Sequence, residues 1–424
     1  MKIFFRRIHL YLGLAAGLVI TISCLTGALL VFEKELTEMF NHDRYYVQPA
    51  GERLPLDKVA AMVQQQVPGA RISRIQLFAD PSRTLQVQLE EGKKGGKKEG
   101  KNEAKGERKA AGKEGAGKVA SMGDQKDKKE GGAPKKEKTA GRIAFVNPYT
   151  GKVVELYSYS KTFYYQVFSL HRWLLAGPTG KAITGASTLI FLFILITGII
   201  LWWPKTRNIL KQRVKVKWDG GWKRLTHDLH VVLGFYASIF LFVSAFTGLT
   251  WSYEWFSNGF YAALGTSPKP MAAPVSAPVA EATNQHISYE AALATVKQQV
   301  PDAIFYSLAA PKDSAASFMV SLLPADAFQE AATTAYYLDQ FSGKVLQSQT
   351  FAQRNLGQKI RGTIKPLHTG AIFGTPSKIF ALCLALLGAI FPATGTIMWI
   401  NRTRKKKKTK SAAKPQETLA PQVV

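Results

Sequence analysis

Four stretches of this chain contain no Asp, Glu, Lys or Arg: Leu10–Phe32, Ala182–Trp203, Val231–Tyr253 and Ile379–Ile400. At 1.5 Å per helical residue each is long enough to cross a hydrocarbon layer of about 30 Å. This constrains the fold more than any other feature. It excludes a soluble enzyme and leaves a membrane core with soluble parts attached.

The formal net charge is +27, and its placement decides what it means. Nearly all of it lies in residues 1–9, 204–224, 402–424 and 92–141. The first three blocks flank apolar stretches, where Lys and Arg set topology, and all three fall on one side of a four-span chain. That side is expected to be the cytoplasm, with both termini inside. The long segments 33–181 and 254–378 are then external. The fourth block is a low-complexity Lys/Gly/Glu/Ala insert that cannot bury enough apolar surface to fold, and it is expected to be a disordered loop. No folded basic face remains, so nucleic acid is not an expected partner. The first apolar run is too long for a signal-peptide core and lacks a convincing cleavage site, so it is expected to be a retained span. Two cysteines, Cys24 and Cys383, lie within the apolar stretches and read as small apolar residues.

The chain repeats itself internally. At one constant offset His9, Gly13, Thr26, Gly27 and Glu33 fall on His230, Gly234, Thr247, Gly248 and Glu254. At another, Leu170, His171, Gly177, Lys181, Thr197, Gly198 and Trp202 fall on Leu367, His368, Gly374, Lys378, Thr394, Gly395 and Trp399. Two copies of one unit are expected, related by an axis along the membrane normal. The external parts repeat too. Leu56–Pro68 and Tyr289–Pro301 share helical apolar spacing and a terminal proline. Alternating segments follow in each: Arg71–Leu77, Thr84–Glu90, Ile143–Asn147 and Lys152–Tyr157, then Ala303–Ala309, Ser317–Leu322, Ala335–Asp339 and Lys344–Thr350. Gly151 and Gly343 end the intervening turns, where a hairpin needs positive φ.

The expected class is an α+β membrane protein: four transmembrane helices as a tandem repeat, with two external domains, each a helix on a small antiparallel sheet. Its parts are span one (1–33), an external domain (34–162) holding the insert (92–141), and an interfacial segment with span two (163–203). A basic loop (204–230), span three (231–253), a second external domain (254–366), span four (367–401) and a basic tail (402–424) follow.

Four histidines obey the repeat. His9 and His230 open spans one and three near the inner face; His171 and His368 precede spans two and four on the outer side. A lone histidine at a membrane boundary is ordinarily a polar anchor. A pseudo-two-fold axis, however, turns these four into two facing pairs. Neither pair has carboxylate or thiolate companions at zinc spacing, whereas two imidazoles suit the axial positions of a planar haem. Gly13 and Gly17 share a helical stripe with His9, leaving room for a cofactor or for close helix packing. Between Leu10 and Phe32 a helix rises about 33 Å, so one haem near each face makes a two-step electron path. Arg6, Arg7 and Arg224 inside, and Arg172, Lys181, Arg361 and Lys378 outside, are candidates for haem propionates or plain topology anchors. His227, one turn before His230, is an alternative inner ligand or a supporting partner. His42 and His286 have no repeat mate and read as surface residues. A Gly/Pro break at Gly177-Pro178-Thr179-Gly180 is expected to fold the aromatic segment Phe163–Leu175 back along the membrane surface, holding His171 near the bilayer.

These residues carry a family resemblance. Arg6, His9, Leu10, Leu12 and Gly13, the run His227 to Gly234, Ser169 to Leu174, the paired Gln-Gln-Val-Pro segments and Asn147 to Lys152 resemble the PepSY-associated transmembrane family. The resemblance implies PepSY-like external domains and a bacterial inner-membrane protein with two haems b, ligated by His9, His230, His171 and His368. It implies a ferric-siderophore reductase releasing Fe(II) in the periplasm. His368 sits in the least well matched motif, Lys365 to Gly370. The electron donor, cytoplasmic or in the membrane, is not encoded here, since no flavin or nicotinamide fingerprint occurs. A non-catalytic regulatory or sensing module is the alternative. A coupled transporter is disfavoured by the lack of charged residues in the spans.

Overall fold

In a computed structural model, residues 2–91, 141–276 and 286–412 are described. Apart from Gly141, the insert read at 92–141 lies outside them. Four helices are long and apolar enough to cross a membrane: Lys2–Leu30, Gly177–Trp202, Gly221–Ser252 and Thr375–Arg404. The first half of the chain runs α1 (Lys2–Leu30), α2 (Glu33–Phe40), α3 (His42–Tyr45), α4 (Leu56–Gln66), β1 (Ala70–Phe78), β2 (Leu85–Glu91), β3 (Arg142–Val146), β4 (Val153–Ser158), α5 (Phe163–Trp173) and α6 (Gly177–Trp202). A connecting helix α7 (Arg207–Arg213) leads to α8 (Gly221–Asp228), α9 (Gly234–Ser252), α10 (Glu254–Ala263) and α11 (Tyr289–Gln299). Then come β5 (Ala303–Ala309), β6 (Phe318–Pro324), β7 (Thr334–Leu338), β8 (Val345–Gln349), α12 (Leu356–Thr369) and α13 (Thr375–Ala412).

The fold is thus α+β, with a helical membrane part and an antiparallel sheet. Both long inter-span segments contribute to that sheet, so they lie on one side of the spans. Two separate small sheets were expected. Instead the strands form one eight-stranded sheet in the order β4-β3-β2-β1-β5-β6-β7-β8. The seam is β1 against β5, with Ile75 opposite Leu308. Both residues are fully buried. The physical reason is edge closure: each four-stranded set would expose β1 or β5 as an unpaired edge, and pairing them removes both edges. Turns at Gly151 and Gly343 have φ +69° and +71° as the hairpins require. Each is braced by an acceptor side chain, Asn147 Oδ1 to the Tyr149 and Thr150 amides, and Asp339 Oδ1 to those of Phe341 and Ser342.

Helices α4 and α11 cover the sheet, placing Leu56, Val59 and Val63 beside Leu293 and Val296 in one core. Their N-termini exchange caps. Glu290 of α11 accepts the Leu56 amide at 2.9 Å, and Asp57 of α4 accepts the Tyr289 and Glu290 amides at 2.8 and 3.0 Å. Carboxylates at helix N-termini satisfy orphan amides and oppose the helix dipole. Arg53 adds a bidentate pair to Glu290 at 2.6 and 3.0 Å.

In the membrane part α1 packs on α6 and α13, and α9 on α6 and α13. The spans therefore form a ring with α1 and α9 on one diagonal. Span three begins earlier than expected: helix starts at Gly221, within the stretch 204–230 read as loop. Charge-free windows miss such ends, because Lys223, Arg224 and Asp228 extend the helix toward water while remaining helical. Between α8 and α9 the residues Leu229–Leu233 form a π-turn. The short helices α2 and α10, which follow spans one and three, were not among the expected elements.

The cap exchange generates a pH prediction. Burial alone would raise the Glu290 pKa, but bonds from Arg53 and the Leu56 amide hold it below the usual value. Its contribution is therefore present above the ordinary Glu range near about 4.3 and is lost as pH falls through the depressed value. Glu290→Gln should weaken the external part by about 1 kcal/mol at neutral pH. Hydrogen exchange at the Leu56 amide should show lost protection in the variant, and should show it in the wild type only at acid pH.

Candidate functional site

His9 on α1 and His230 in the π-turn before α9 face one another across the ring of spans, their ring centres 6.3 Å apart at 84°. A π-turn widens a helix locally and is frequent where a side chain must be aimed. On the sheet side, His171 of α5 and His368 of α12 meet with centres 6.2 Å apart at 66°. Helix α5 reaches this position because the chain reverses sharply after it. Leu174, Leu175 and Gly177 all have positive φ, and a Cβ on Gly180 would overlap the Trp173 carbonyl. Only glycine allows α6 to begin so close beneath the end of α5.

Each histidine rests on a Thr-Gly pair of a neighbouring span. His9 Nδ1 lies 3.0 Å from Thr197 Oγ1, His171 Nδ1 3.2 Å from Thr26 Oγ1, His230 Nδ1 2.9 Å from Thr394 Oγ1 and His368 Nδ1 3.0 Å from Thr247 Oγ1. The glycine that follows each threonine lets the ring lie flat on the helix. A Cβ at Gly198, Gly27, Gly395 or Gly248 would stand 3.2–3.4 Å from the Cε1 of its histidine.

These contacts fix the tautomer. Every one of the four threonines donates its hydroxyl to carbonyls three and four residues earlier, for example Thr26 to Ile22 and Ser23, and Thr394 to Ile390 and Phe391. Its oxygen is left to accept, so Nδ1 must carry the proton. The same Nδ1–H groups also reach backbone groups: the Ser23 carbonyl at 2.8 Å, the Ser244 carbonyl at 2.9 Å, and the backbones of Ile194 and Phe391. Nε2 then holds a lone pair, and among the described residues no hydrogen bond engages it. Four half-buried imidazoles with Nδ1 satisfied and Nε2 open could hold a metal, since an orienting partner on the second nitrogen is what ligating histidines characteristically have.

The residues fit a haem by spacing as well. A metal–imidazole bond of about 2.0–2.1 Å, plus about 1.1 Å from nitrogen to ring centre, puts two coaxial ligands about 6.3 Å apart. Spacing alone would also suit an edge-to-face ring contact. The fourfold Nδ1 arrangement adds a feature that a ring contact by itself does not require, a common tautomer with Nε2 unengaged. Two imidazoles alone would leave the other coordination positions of an iron to a group such as a planar four-nitrogen ring. An open groove of ≈ 390 Å³ between α1 and α13 is lined by Gly13, Gly17, Thr21, Pro392 and Thr396. A Cβ on Gly13 would meet nothing within 4 Å, leaving room one turn beyond His9. Gly17, by contrast, is in tight contact with Pro392 and serves helix packing.

The remaining candidates separate. His230, not His227, faces His9. The exposed His227 instead bonds through Nδ1 to Asp228 Oδ1 at 3.0 Å. Arg224 also holds Asp228, at 2.8 Å, and Lys378 is paired with Glu35. Arg172, directly after His171, lies over the Trp173 ring at 5.3 Å. His42 stacks on Tyr46 and His286 on Phe341, away from both pairs. Sequence reasoning missed the seats, although their signal was present: Thr-Gly recurs at Thr26, Thr197, Thr247 and Thr394, each at a repeat-equivalent position. It also missed Trp251, whose ring meets His368 at 5.2 Å.

Residues 6–402 match the family model of the PepSY-associated TM region. The chain belongs to that family. Comparison of this PepSY-associated protein with curated proteins finds no match. The family span begins just before His9 and runs beyond the Thr394 seat, so all four histidines and their seats lie inside it.

Glycine substitutions should sort by the space they fill. In the PepSY-associated chain Gly180→Ala should destabilise on the order of 4 kcal/mol or more, because backbone must move, whereas Gly13→Ala should stay within about 0.5 kcal/mol. Thermal unfolding of the detergent-extracted protein, followed by size-exclusion chromatography, measures both.

Proposed function

We propose that this PepSY-associated protein is a dihaem reductase of the bacterial inner membrane. It passes electrons outward to a ferric siderophore in the periplasm and releases the iron as Fe(II). The observation that carries this reading is the fourfold Nδ1 arrangement, which leaves Nε2 unengaged on both members of a histidine pair at each of two depths. In this reading the chain is a tandem repeat whose sheet halves are PepSY domains, with the sheet periplasmic and both termini cytoplasmic.

Bound haem b at each pair supplies a one-electron iron couple. The protein's own part is positional. His9 with His230, and His171 with His368, would hold the haem iron at the two sites. Thr197, Thr394, Thr26 and Thr247 keep each ring in one tautomer and orientation, and the apolar spans exclude water. Along α1, His9 and the His171 seat at Gly27 are 18 residues apart, about 27 Å in a helix, so the sites serve opposite faces of the membrane. Reduction of each ferric ion takes one electron, which haem at the outer site would supply, and hard-oxygen chelators hold Fe(II) far less well than Fe(III). The donor is a reductant of the cytoplasm or the membrane.

The purified protein should show a dithionite-reducible b-type spectrum with about two haems per chain, and a ferric chelate should reoxidise it. His9→Ala or His230→Ala should remove one haem, His171→Ala or His368→Ala the other. Gly13→Leu should lower inner-haem content while leaving the outer site intact. A colourless protein would overturn the proposal and favour a regulatory or sensing module instead.

A further inference from the structure

In each histidine pair the two partners are held differently. Trp251 of α9 sets its ring against His368, centres 5.2 Å apart at 89°. Phe391 of α13 does the same for His230, at 5.9 Å and 80°. Both aromatic residues stand one helical turn from the seat of the ring they touch: Trp251 is four residues after Thr247, and Phe391 three before Thr394. One stretch of one span thus grips each second-half histidine at three points, a hydroxyl oxygen, a glycine and an aromatic ring. The first half has the hydroxyl and the glycine, but the repeat places Leu30 where Trp251 stands and Ile194 where Phe391 stands. Among the described residues, His9 and His171 meet no aromatic ring except that of the facing histidine.

We propose that Trp251 and Phe391 are positioning residues that fix the ring planes of His368 and His230, so that the second half sets the ligand orientation at each site and the first half adapts to it. This rests on the haem reading above. Edge-to-face contact is directional, because the positive rim of one ring seeks the negative face of the other. A leucine or isoleucine packs equally well at many angles. A threonine acceptor leaves an imidazole free to turn about its hydrogen bond, and a second ring held nearly at right angles stops that turn. Trp251 is 40% exposed at the outer end of its span, where tryptophans commonly anchor in the headgroup layer. Anchoring requires no contact with a histidine, and Phe391 lies well inside its span, away from either end.

The test uses the angle between the two imidazole planes, which a ferric haem iron senses directly. Crossed planes leave its two π-type d orbitals nearly equal in energy, and parallel planes split them. Planes crossed at 84° and 66° should give two low-spin electron paramagnetic resonance signals with a large principal g value. His9→Ala and His171→Ala assign them to the inner and outer site. Trp251→Leu, which installs the first half's residue, should move the outer signal and leave the inner one in place. Phe391→Ile should do the reverse, Trp251→Phe should restore the outer signal, and all three variants should keep both haems. A second measurement needs no haem: in haem-free protein labelled on histidine, Trp251→Leu should shift the Cε1–H resonance of His368 and not that of His9. Unmoved signals in haem-loaded variants, or changes that merely follow lost haem, would overturn the proposal and leave the haem reading intact. If the wild type binds no haem, that reading falls, and an unmoved His368 resonance then removes the positioning role as well.

Discussion

The membrane part depends on one small interaction, an Nδ1–H bond from each paired histidine to a threonine of the adjacent span. In hydrocarbon an imidazole with an unsatisfied polar hydrogen is costly, and the backbone carbonyls that His171 and His368 also reach, Ser23 and Ser244, are shared with the threonine hydroxyls. A threonine that has already donated to its own helix solves this. Its hydroxyl oxygen accepts while its methyl group faces apolar neighbours. The glycine after it removes the one side chain that would hold the ring away. Because the threonine's proton is committed, the histidine's proton is committed too, and all four Nε2 atoms are left in the same chemical state.

The wiring follows a rule that the repeat alone did not reveal. His9 uses Thr197 and His171 uses Thr26, so α1, α5 and α6 complete their own seats. His230 uses Thr394 and His368 uses Thr247, closing the second half in the same way. Within the histidine sites the halves meet only ring to ring, as His9 with His230 and His171 with His368. Outside the membrane they meet along the β1–β5 seam and through the caps exchanged by Asp57 and Glu290.

Much of this was legible beforehand. Both external helices and all eight strands lie within a residue or two of their expected limits, whereas the span helices run past the charge-free stretches, span one back to Lys2, span two to Gly177 and span four on to Ala412. Those elements have local causes: apolar period, a terminal proline, a glycine at a turn. The fused sheet was not legible, because strand edges say nothing about which partner will cover them. For the site, repetition identified the four histidines but left His227 and His230 unresolved. The choice depended on a π-turn, which rotates His230 inward and leaves His227 to Asp228. The seats were visible as repeated Thr-Gly pairs, yet spacing along a chain does not say which span a threonine will face.

Placing ligands on opposite halves has an energetic consequence. Any group clasped by His9 and His230 joins α1 to α9 across the diagonal, a pair that shares little direct helix packing compared with the neighbouring spans. Binding energy at that position is therefore also assembly energy for the two halves, as with any ligand that binds only the folded arrangement. The same holds for His171 and His368, which lie on interfacial helices and not on the spans themselves. Without such a group the halves are held in the membrane by the neighbouring contacts, α1 on α13 and α6 on α9, with close packings such as Gly17 on Pro392.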